Sequence, residues 1–218
     1  MNRNHLRRTS AGAAAVLVLA LGLAACSEDD GGGDDTASED TPTATEDSPP
    51  PTEEEPPADD AGAQTFGPGC KLIPASGAGS FNGMATEPVA TAASANPLLT
   101  TLVTAVKKAG LVDTLNSAEA LTVFAPTNDA FAKIPKKDLD AVLADKETLT
   151  KILTHHVIGE QLAPEALAGT HETLNADMVT VKGSGEQFTV ADENSAVLCG
   201  NIPTANATVY VVDTVLMP

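Results

Sequence analysis

The chain has 218 residues with a formal net charge of −18, and its aromatic residues are five Phe and one Tyr. Residues 27–69 contain fourteen acidic residues and no Lys or Arg, whereas the chain from residue 70 onward contains nine lysines and sixteen acidic residues. An acidic chain without a basic stripe argues against nucleic acid as a partner. Because aromatic residues are so few, we expect a core built mostly from Val, Leu, Ile and Ala.

The first 25 residues have the order of an export signal. Arg3, Arg7 and Arg8 precede a charge-free apolar run over 11–25, which is too short to span a bilayer as a stable helix. The pair of arginines leaves open whether export follows the general or the twin-arginine route.

The end of this signal, Leu23-Ala24-Ala25-Cys26, resembles the lipobox of bacterial lipoproteins, in which the cysteine thiol takes a diacylglycerol before cleavage. We therefore expect a signal peptide over 1–25 and a mature chain that begins with lipidated Cys26. Two or three acyl chains hold a protein firmly, because each buried CH₂ contributes about 0.8 kcal/mol. The membrane is thus a predicted partner, and the predicted location is the extracytoplasmic face of a bacterial cell membrane.

Residues 26–69 have the composition of a disordered tether. They are rich in Asp, Glu, Pro, Thr and Gly, and cannot bury enough apolar surface to offset the entropy of ordering. Prolines stiffen such a segment and like charges extend it. Thr41, Thr43 and Thr45 are candidate O-glycan acceptors. An acidic run can also bind a cationic partner, but we interpret this one as a solvated spacer.

Residues 70–218 have the length of one ordinary domain with a single core. Cys70 and Cys199 are the cysteines that remain once Cys26 carries lipid, and an exported protein meets an oxidising environment. We therefore expect a disulfide between them. No further ligands lie near either cysteine at the spacing of a zinc site, so no metal or other cofactor is predicted.

Within this domain, the sequence predicts helices first and strands later. Asn96 is expected to cap a helix that begins at Pro97 and is stopped by Gly110. Residues 121–126 read as a strand ended by Pro126, followed by a short helix capped by Thr127 or Asn128. Further helices are predicted over 135–145 and 146–156, and further strands over 186–191, 196–200 and 207–217. This order indicates an α+β domain.

Three segments resemble the signatures of fasciclin-like domains: LTVFAPTNDAF at 121–131, ILTHHVI at 152–158 and ATVYVVDTVLMP at 207–218. The resemblance covers about residues 85–218. GPGC at 67–70 and the longer stretches around these motifs are similar to the secreted and lipid-anchored fasciclin immunogens of mycobacteria. The resemblance implies a wedge of β-strands covered by helices, a Cys70–Cys199 disulfide, and a non-catalytic surface role in adhesion or partner binding.

The signature residues also have a physical interpretation. Phe124 and Phe131 can enter the core, and the last strand is apolar on both faces, which predicts a position inside the sheet. Asp213 interrupts one of these faces, so it needs a hydrogen-bond partner or a place at the rim. The family's Tyr-His pair is His155-His156 here. The residues carried over from the family motifs are Thr122, Phe124, Pro126, Thr127, Asn128, Phe131, His155, His156, Val211 and Asp213.

Catalytic and metal-binding chemistry has little support in the sequence. His155 and His156, as neighbours on an extended backbone, would point to opposite faces, so we expect a packed His156 and a surface His155. His171 is expected in a loop. Ser184 lies in a hairpin turn with no base assigned to it. The sequon that begins at Asn206 is interpreted as incidental, and the chain is predicted not to be an enzyme.

Two functional hypotheses follow. The first is a lipid-anchored surface module, monomeric, that binds an extracellular protein or glycan. The second is an envelope carrier or sensor of a small apolar ligand. A deep apolar cavity of a few hundred Å³ would favour the second hypothesis. A filled core with an exposed patch would favour the first.

Overall fold

A seven-stranded sheet lies at the centre of the computed structural model, which describes residues 60–191 and 193–218. The strands are β1 Leu121–Pro126, β2 Val157–Ile158, β3 Gly169–Glu172, β4 Met178–Ser184, β5 Gln187–Val190, β6 Ser195–Pro203 and β7 Ala207–Val212. Their order is β2-β1-β7-β6-β5-β4-β3. The β1–β7 pair is parallel and the other pairs are antiparallel. The predicted signal peptide, Cys26 and the tether up to residue 59 lie outside the described residues.

The sheet curls until its two ends meet. An isolated antiparallel bridge joins Ile158 to Thr173, and the Leu174 N–H donates to the Val157 carbonyl at 2.8 Å. The curl encloses one cluster of buried side chains, which includes Phe124, Phe188 and Tyr210. A second cluster fills the space between the other face of β1 and β7 and the helices. The result is the predicted wedge of strands covered by helices.

Most helices precede the strands or connect β1 to β2, as an α+β domain requires. They are α1 Phe81–Ala85, α2 Val89–Ala95, α3 Thr100–Ala109, α4 Val112–Ser117, α5 Asn128–Ala132, α6 Lys136–Ala144, α7 Lys146–His155 and α8 Pro164–Leu167. In the described part of the chain, no single helix is long and apolar enough to cross a membrane. The helical segments Val89–Ala95 and Pro97–Ala109 together have the length and composition of a membrane span, but the chain bends by 102° between them.

Several element boundaries differ from the sequence prediction, and two of the differences concern the helix after Asn96 and the last strand. Asn96 caps a 3-10 turn over Pro97–Leu99, and the α-helix proper begins at Thr100, although Gly110 ends it with a φ of 74° as expected. The last strand ends at Val212 instead of residue 217. Beyond it, the Asp213 N–H still donates to the Ala196 carbonyl at 3.1 Å, and the Thr214 N–H donates to the Ser195 hydroxyl at 3.1 Å.

The folded part begins before residue 70, which corrects the predicted tether boundary. Phe66 exchanges two backbone hydrogen bonds with Gly200, at 3.2 and 2.8 Å. Its buried ring lies 5.6 Å from the ring of Phe188 and 6.3 Å from that of Tyr210. A Cβ at Gly200 would come within 2.3 Å of the Phe66 ring, so glycine is required for this approach. One aromatic side chain therefore anchors a segment that composition alone assigns to the tether.

The predicted disulfide between Cys70 and Cys199 is present and spans 129 residues. Cys70 begins a 3-10 turn over Cys70–Leu72, and Cys199 lies in β6. The Gly69 N–H also donates to the Leu198 carbonyl at 2.7 Å. The bond thus fastens the start of the folded part to the middle of the sheet.

We expect the Cys70→Ser, Cys199→Ser double variant to fold with a lower melting temperature and faster amide exchange over residues 66–73. Closing so long a loop stabilises the folded state by up to about 5 kcal/mol in the chain-entropy model. In the variant, the Phe66 contacts still hold the start of the folded part to β6. Thermal melts and hydrogen exchange of the variant, compared with the oxidised and the reduced parent, measure the effect. An unchanged melting temperature would show that the bond has no stabilising role.

Candidate functional site

The three signature segments, far apart in sequence, lie side by side. Phe124 pairs with Tyr210 across the parallel β1–β7 ladder, and Ala125 pairs with Val211. The Phe124 N–H donates to the His156 carbonyl at 2.9 Å, which brings in the third segment. All three side chains at the centre, those of Phe124, Val211 and His156, are buried.

Polar signature residues tie backbone segments together. The Thr122 hydroxyl donates to the Glu160 carbonyl and accepts from the Leu162 N–H, both at 2.8 Å, so it fastens the loop after β2 onto β1. Thr127 caps α5 by accepting from the Ala130 N–H at 3.1 Å. Pro126 ends β1 just before this cap, and Phe131 of α5 is buried in the helix-side core.

Asn128 caps a different helix from the one that the sequence suggested. Its side-chain carbonyl accepts from the Thr101 N–H at 2.9 Å and from the Thr100 hydroxyl at 3.1 Å, at the start of α3. Its amide donates to the Pro97 carbonyl at 2.9 Å. Asn128 therefore joins the β1–α5 corner to α3.

His156 is packed, as predicted, and both of its ring nitrogens are engaged. Nδ1 donates to the Ile152 carbonyl at 2.8 Å, and Nε2 accepts from the Leu216 N–H at 2.9 Å. Nε2 can accept only in the neutral ring. Burial lowers the pKa of His156 to about 4. The ring thus holds the segment after β7 against the end of α7.

His155 does not lie on the surface, contrary to the prediction. It is the last residue of α7, not part of an extended strand, and its ring is buried with Nδ1 2.7 Å from the Asp177 carboxylate. Partial burial raises the pKa of Asp177, but hydrogen bonds from Thr173, Asn175 and His155 outweigh that effect and lower it. At the end of the helix the ring faces the loop between β3 and β4. The Asp177 carboxylate there gives the buried Nδ1 a hydrogen-bond partner in place of water.

The His155–Asp177 pair borders a polar cavity of about 210 Å³. Glu193, Thr180 and Met217 also line it, and its described lining contains no serine or cysteine nucleophile. Across the described ranges, no three His, Cys, Asp or Glu side chains come close enough to hold a metal ion.

The remaining candidate residues are structural in their contacts. His171 lies in β3 instead of a loop, and its Nε2 is 2.9 Å from the Leu167 carbonyl at the end of α8. Ser184, predicted to lie in a hairpin turn, is the exposed last residue of β4 and pairs with Gln187, next to the turn. Asp213 has the predicted partners: it pairs with Lys133 at 3.0 Å and accepts from the Ala196 N–H at 2.8 Å. Burial raises the pKa of Asp213, but these hydrogen bonds outweigh that effect and lower it.

Asn206, the first residue of the sequon, has a role that sequence reasoning missed. Its amide donates to the carbonyls of Leu115 and Ala118, both at 2.8 Å, and its side-chain carbonyl accepts from the Val89 N–H at 2.9 Å. The side chain therefore ties α2 and α4 to the turn before β7. No local pattern distinguishes such an asparagine from an ordinary turn residue.

An apolar cavity of about 140 Å³ lies on the helical side of the domain, between α2, α3, α4 and the end of α7. α2 has the sequence VATAASA, whose small side chains leave room beside α3 and α4. Buried side chains form the floor: Leu102, Val106, Leu115, Val123, Leu153 and Val157. Lys107, Thr114 and Leu174 stand at the exposed rim, and Leu174 is 44% exposed.

The buried His156 predicts a pH dependence of stability. Its folded-state pKa of about 4 lies below the ordinary 6.5, so the unfolded chain binds the proton more readily between these values. The contribution is present above pH 6.5 and is lost as the pH falls toward 4. We expect the free energy of unfolding to drop by about 3 kcal/mol over this window from His156 alone.

Denaturant melts at several pH values measure the loss, and an NMR titration of the imidazole protons assigns it. His171→Gln, which removes a more exposed ring, should retain most of the pH slope. If His156 in the folded protein titrates near pH 6.5, its burial does not produce the slope and the explanation is wrong.

The comparisons with known proteins agree with this architecture. Residues 97–218 match the family model of the fasciclin domain. The chain is 47% identical over 167 residues to the cell surface glycolipoprotein MPB83 of Mycobacterium bovis, across 73% of this chain and 74% of that protein. It is 47% identical over 166 residues to the immunogenic protein MPT70 of Mycobacterium tuberculosis, across 72% of this chain and 84% of that protein.

A solved structure extends the likeness to the fold. The FAS1 domain pair from the insect cell adhesion molecule Fasciclin I superimposes with a TM-score of 0.52 and 16% identity, over 62% of this chain and 52% of that chain. At this identity the likeness concerns the fold alone. The family model, the bacterial relatives and the position of the three signature segments lead to the same conclusion: this chain belongs to the fasciclin domain family.

Proposed function

We propose that this protein is a lipid-anchored, non-catalytic surface module, whose fasciclin domain binds a protein or glycan at the cell envelope. The observation that carries the proposal is the 47% identity, over 73% of the chain, to a protein named as a cell surface glycolipoprotein. In this proposal the chain is cleaved before Cys26, lipid on Cys26 holds it at the membrane, and residues 26–59 act as a tether.

The chemistry of the chain supports this arrangement. The lipobox-like Leu23-Ala24-Ala25-Cys26 lies directly before the acidic segment, which has the composition of a solvated spacer. The Cys70–Cys199 disulfide suits an oxidising compartment outside the cytoplasm. The signature residues of the domain are used for internal contacts, so a partner would be bound by the surface around them.

The anchor is tested by Cys26→Ser. Because the thiol is the acceptor of the lipid, we expect the variant to lose its acylated mass and to move from the detergent phase to the aqueous phase, or to retain its signal peptide. Intact mass spectrometry and detergent partitioning measure both outcomes. The Cys70→Ser, Cys199→Ser variant is the matched control and should stay acylated. An acylated mass in the Cys26→Ser variant would refute the anchor.

Partner binding is tested by crosslinking on intact cells with the full-length protein as bait. We expect specific extracellular proteins or glycans to be captured above a control in which residues 1–59 carry an unrelated folded domain. The control shares the signal, lipid and tether, so any difference belongs to the fasciclin domain. Equal capture by the two baits would contradict an interaction role for the domain.

The apolar cavity supports a second candidate function, the binding of a small apolar ligand. Its volume of about 140 Å³ is below the few hundred Å³ expected of a carrier that encloses its ligand. It is close to the roughly 150 Å³ of an engineered apolar cavity that binds benzene. The cavity therefore has room for an apolar group of about six carbons. The rest of a larger ligand would lie outside the cavity, in solvent.

A further inference from the structure

We infer that the apolar cavity binds a small amphiphilic carboxylate, with its apolar end on the cavity floor and its carboxylate at the rim beside Lys107. This inference rests on the second candidate function above and specifies the ligand chemistry of the same site. Three observations support it: the buried floor is apolar, Lys107 is the one charged side chain in the described lining, and no described carboxylate pairs with Lys107.

The floor selects for an apolar group. Its six side chains are Leu or Val, contributed by α3, α4, β1, α7 and β2. His156 also borders the cavity, but both of its ring nitrogens are bonded to the backbone, so it offers no free donor or acceptor to a ligand. A polar group placed on this floor would lose its hydrogen bonds to water without replacement.

The rim selects for a negative charge. Lys107 is the one charged side chain in the described lining of the cavity. Over residues 60–191 and 193–218, no carboxylate oxygen lies within 4.0 Å of the Lys107 ammonium nitrogen, the distance at which the two groups form an ion pair. Thr114 adds a hydroxyl to the same rim. An ammonium group at the edge of an apolar surface pairs with an anion and disfavours a cation.

The sequence around Lys107 provides a matched comparison. Lys107 and Lys108 are both exposed in the last turn of α3, where each complements the helix dipole. Only Lys107 borders the cavity. A role in the helix therefore predicts similar effects from the two lysines, whereas a role in ligand binding predicts an effect from Lys107 alone.

The test uses the mature chain from residue 26 with Cys26→Ser, which retains every residue that the structure describes and needs no detergent. The probes are octanoate, 1-octanol and octylammonium, which share an eight-carbon chain and differ in charge. Two-dimensional NMR titrations below the micelle concentrations give the affinities. Methyl resonances of Leu102, Val106 and Leu115 locate the site.

We expect octanoate to shift these floor methyls and to bind about fivefold more tightly than octanol, the effect of one exposed ion pair, with octylammonium weakest. Lys107→Gln should remove this advantage and leave octanol binding unchanged, whereas Lys108→Gln should change neither. Val103→Phe, a substitution at a half-buried lining position, should fill the cavity and weaken both ligands.

The remaining outcomes overturn defined parts of the proposal. If octanol binds as tightly as octanoate, the carboxylate inference is wrong and the apolar-ligand function stands. If the Lys107 and Lys108 variants behave alike, the charge at the rim has no role in recognition. If no probe shifts the floor methyls of the parent chain, both the inference and the second candidate function fail, while the surface-interaction proposal is unaffected.

Discussion

The parallel pairing of β1 with β7 joins two strands separated by eighty residues of chain, and all twelve of their residues are buried. One face of the pair supports the helices, and the other face supports the aromatic cluster inside the curled sheet. Because β7 is close to the C-terminal end of the described chain and occupies a central place in the sheet, neither core can close before that strand is in position. The domain is therefore built from long-range contacts, which is typical of slowly folding β-rich proteins.

Around this pair, single polar side chains determine where the surrounding segments attach. Thr122 fastens the loop after β2, Asn128 begins α3, Asn206 attaches α2 and α4, and His156 holds the last residues. Each of these side chains satisfies two or more backbone groups that would otherwise lose their partners on burial. Thr122, Asn128 and His156 belong to the signature segments. These segments therefore preserve a scaffold, and they do not by themselves identify what the domain binds.

Much of this architecture could be predicted from local sequence, because periodicity, caps and prolines act over a few residues. β1, the helices α6 and α7, and the stop at Gly110 are examples. The errors arose where a residue's setting depends on distant chain. His155 was expected at the surface, but its ring is buried against Asp177 of a distant loop. Phe66 lies in a stretch of tether-like composition, although its ring belongs to the aromatic cluster. The position of the apolar cavity could not be predicted for the same reason, since the cavity forms where the small residues of α2 meet helices from other parts of the chain.

The cavity also separates side chains that the core requires from side chains that are exposed at its edge. An unfilled apolar space destabilises a core by an amount that grows with its volume, and larger side chains in α2 would remove it. A ligand that binds only the folded state offsets such a deficit in proportion to the logarithm of its concentration. The floor is made of ordinary core residues, whereas Lys107 and Leu174 at the rim are exposed and can change without disturbing the fold. Substitutions at the rim are therefore expected to change which ligand the cavity binds, whereas the signature residues below the rim are needed for the β1–β7 scaffold.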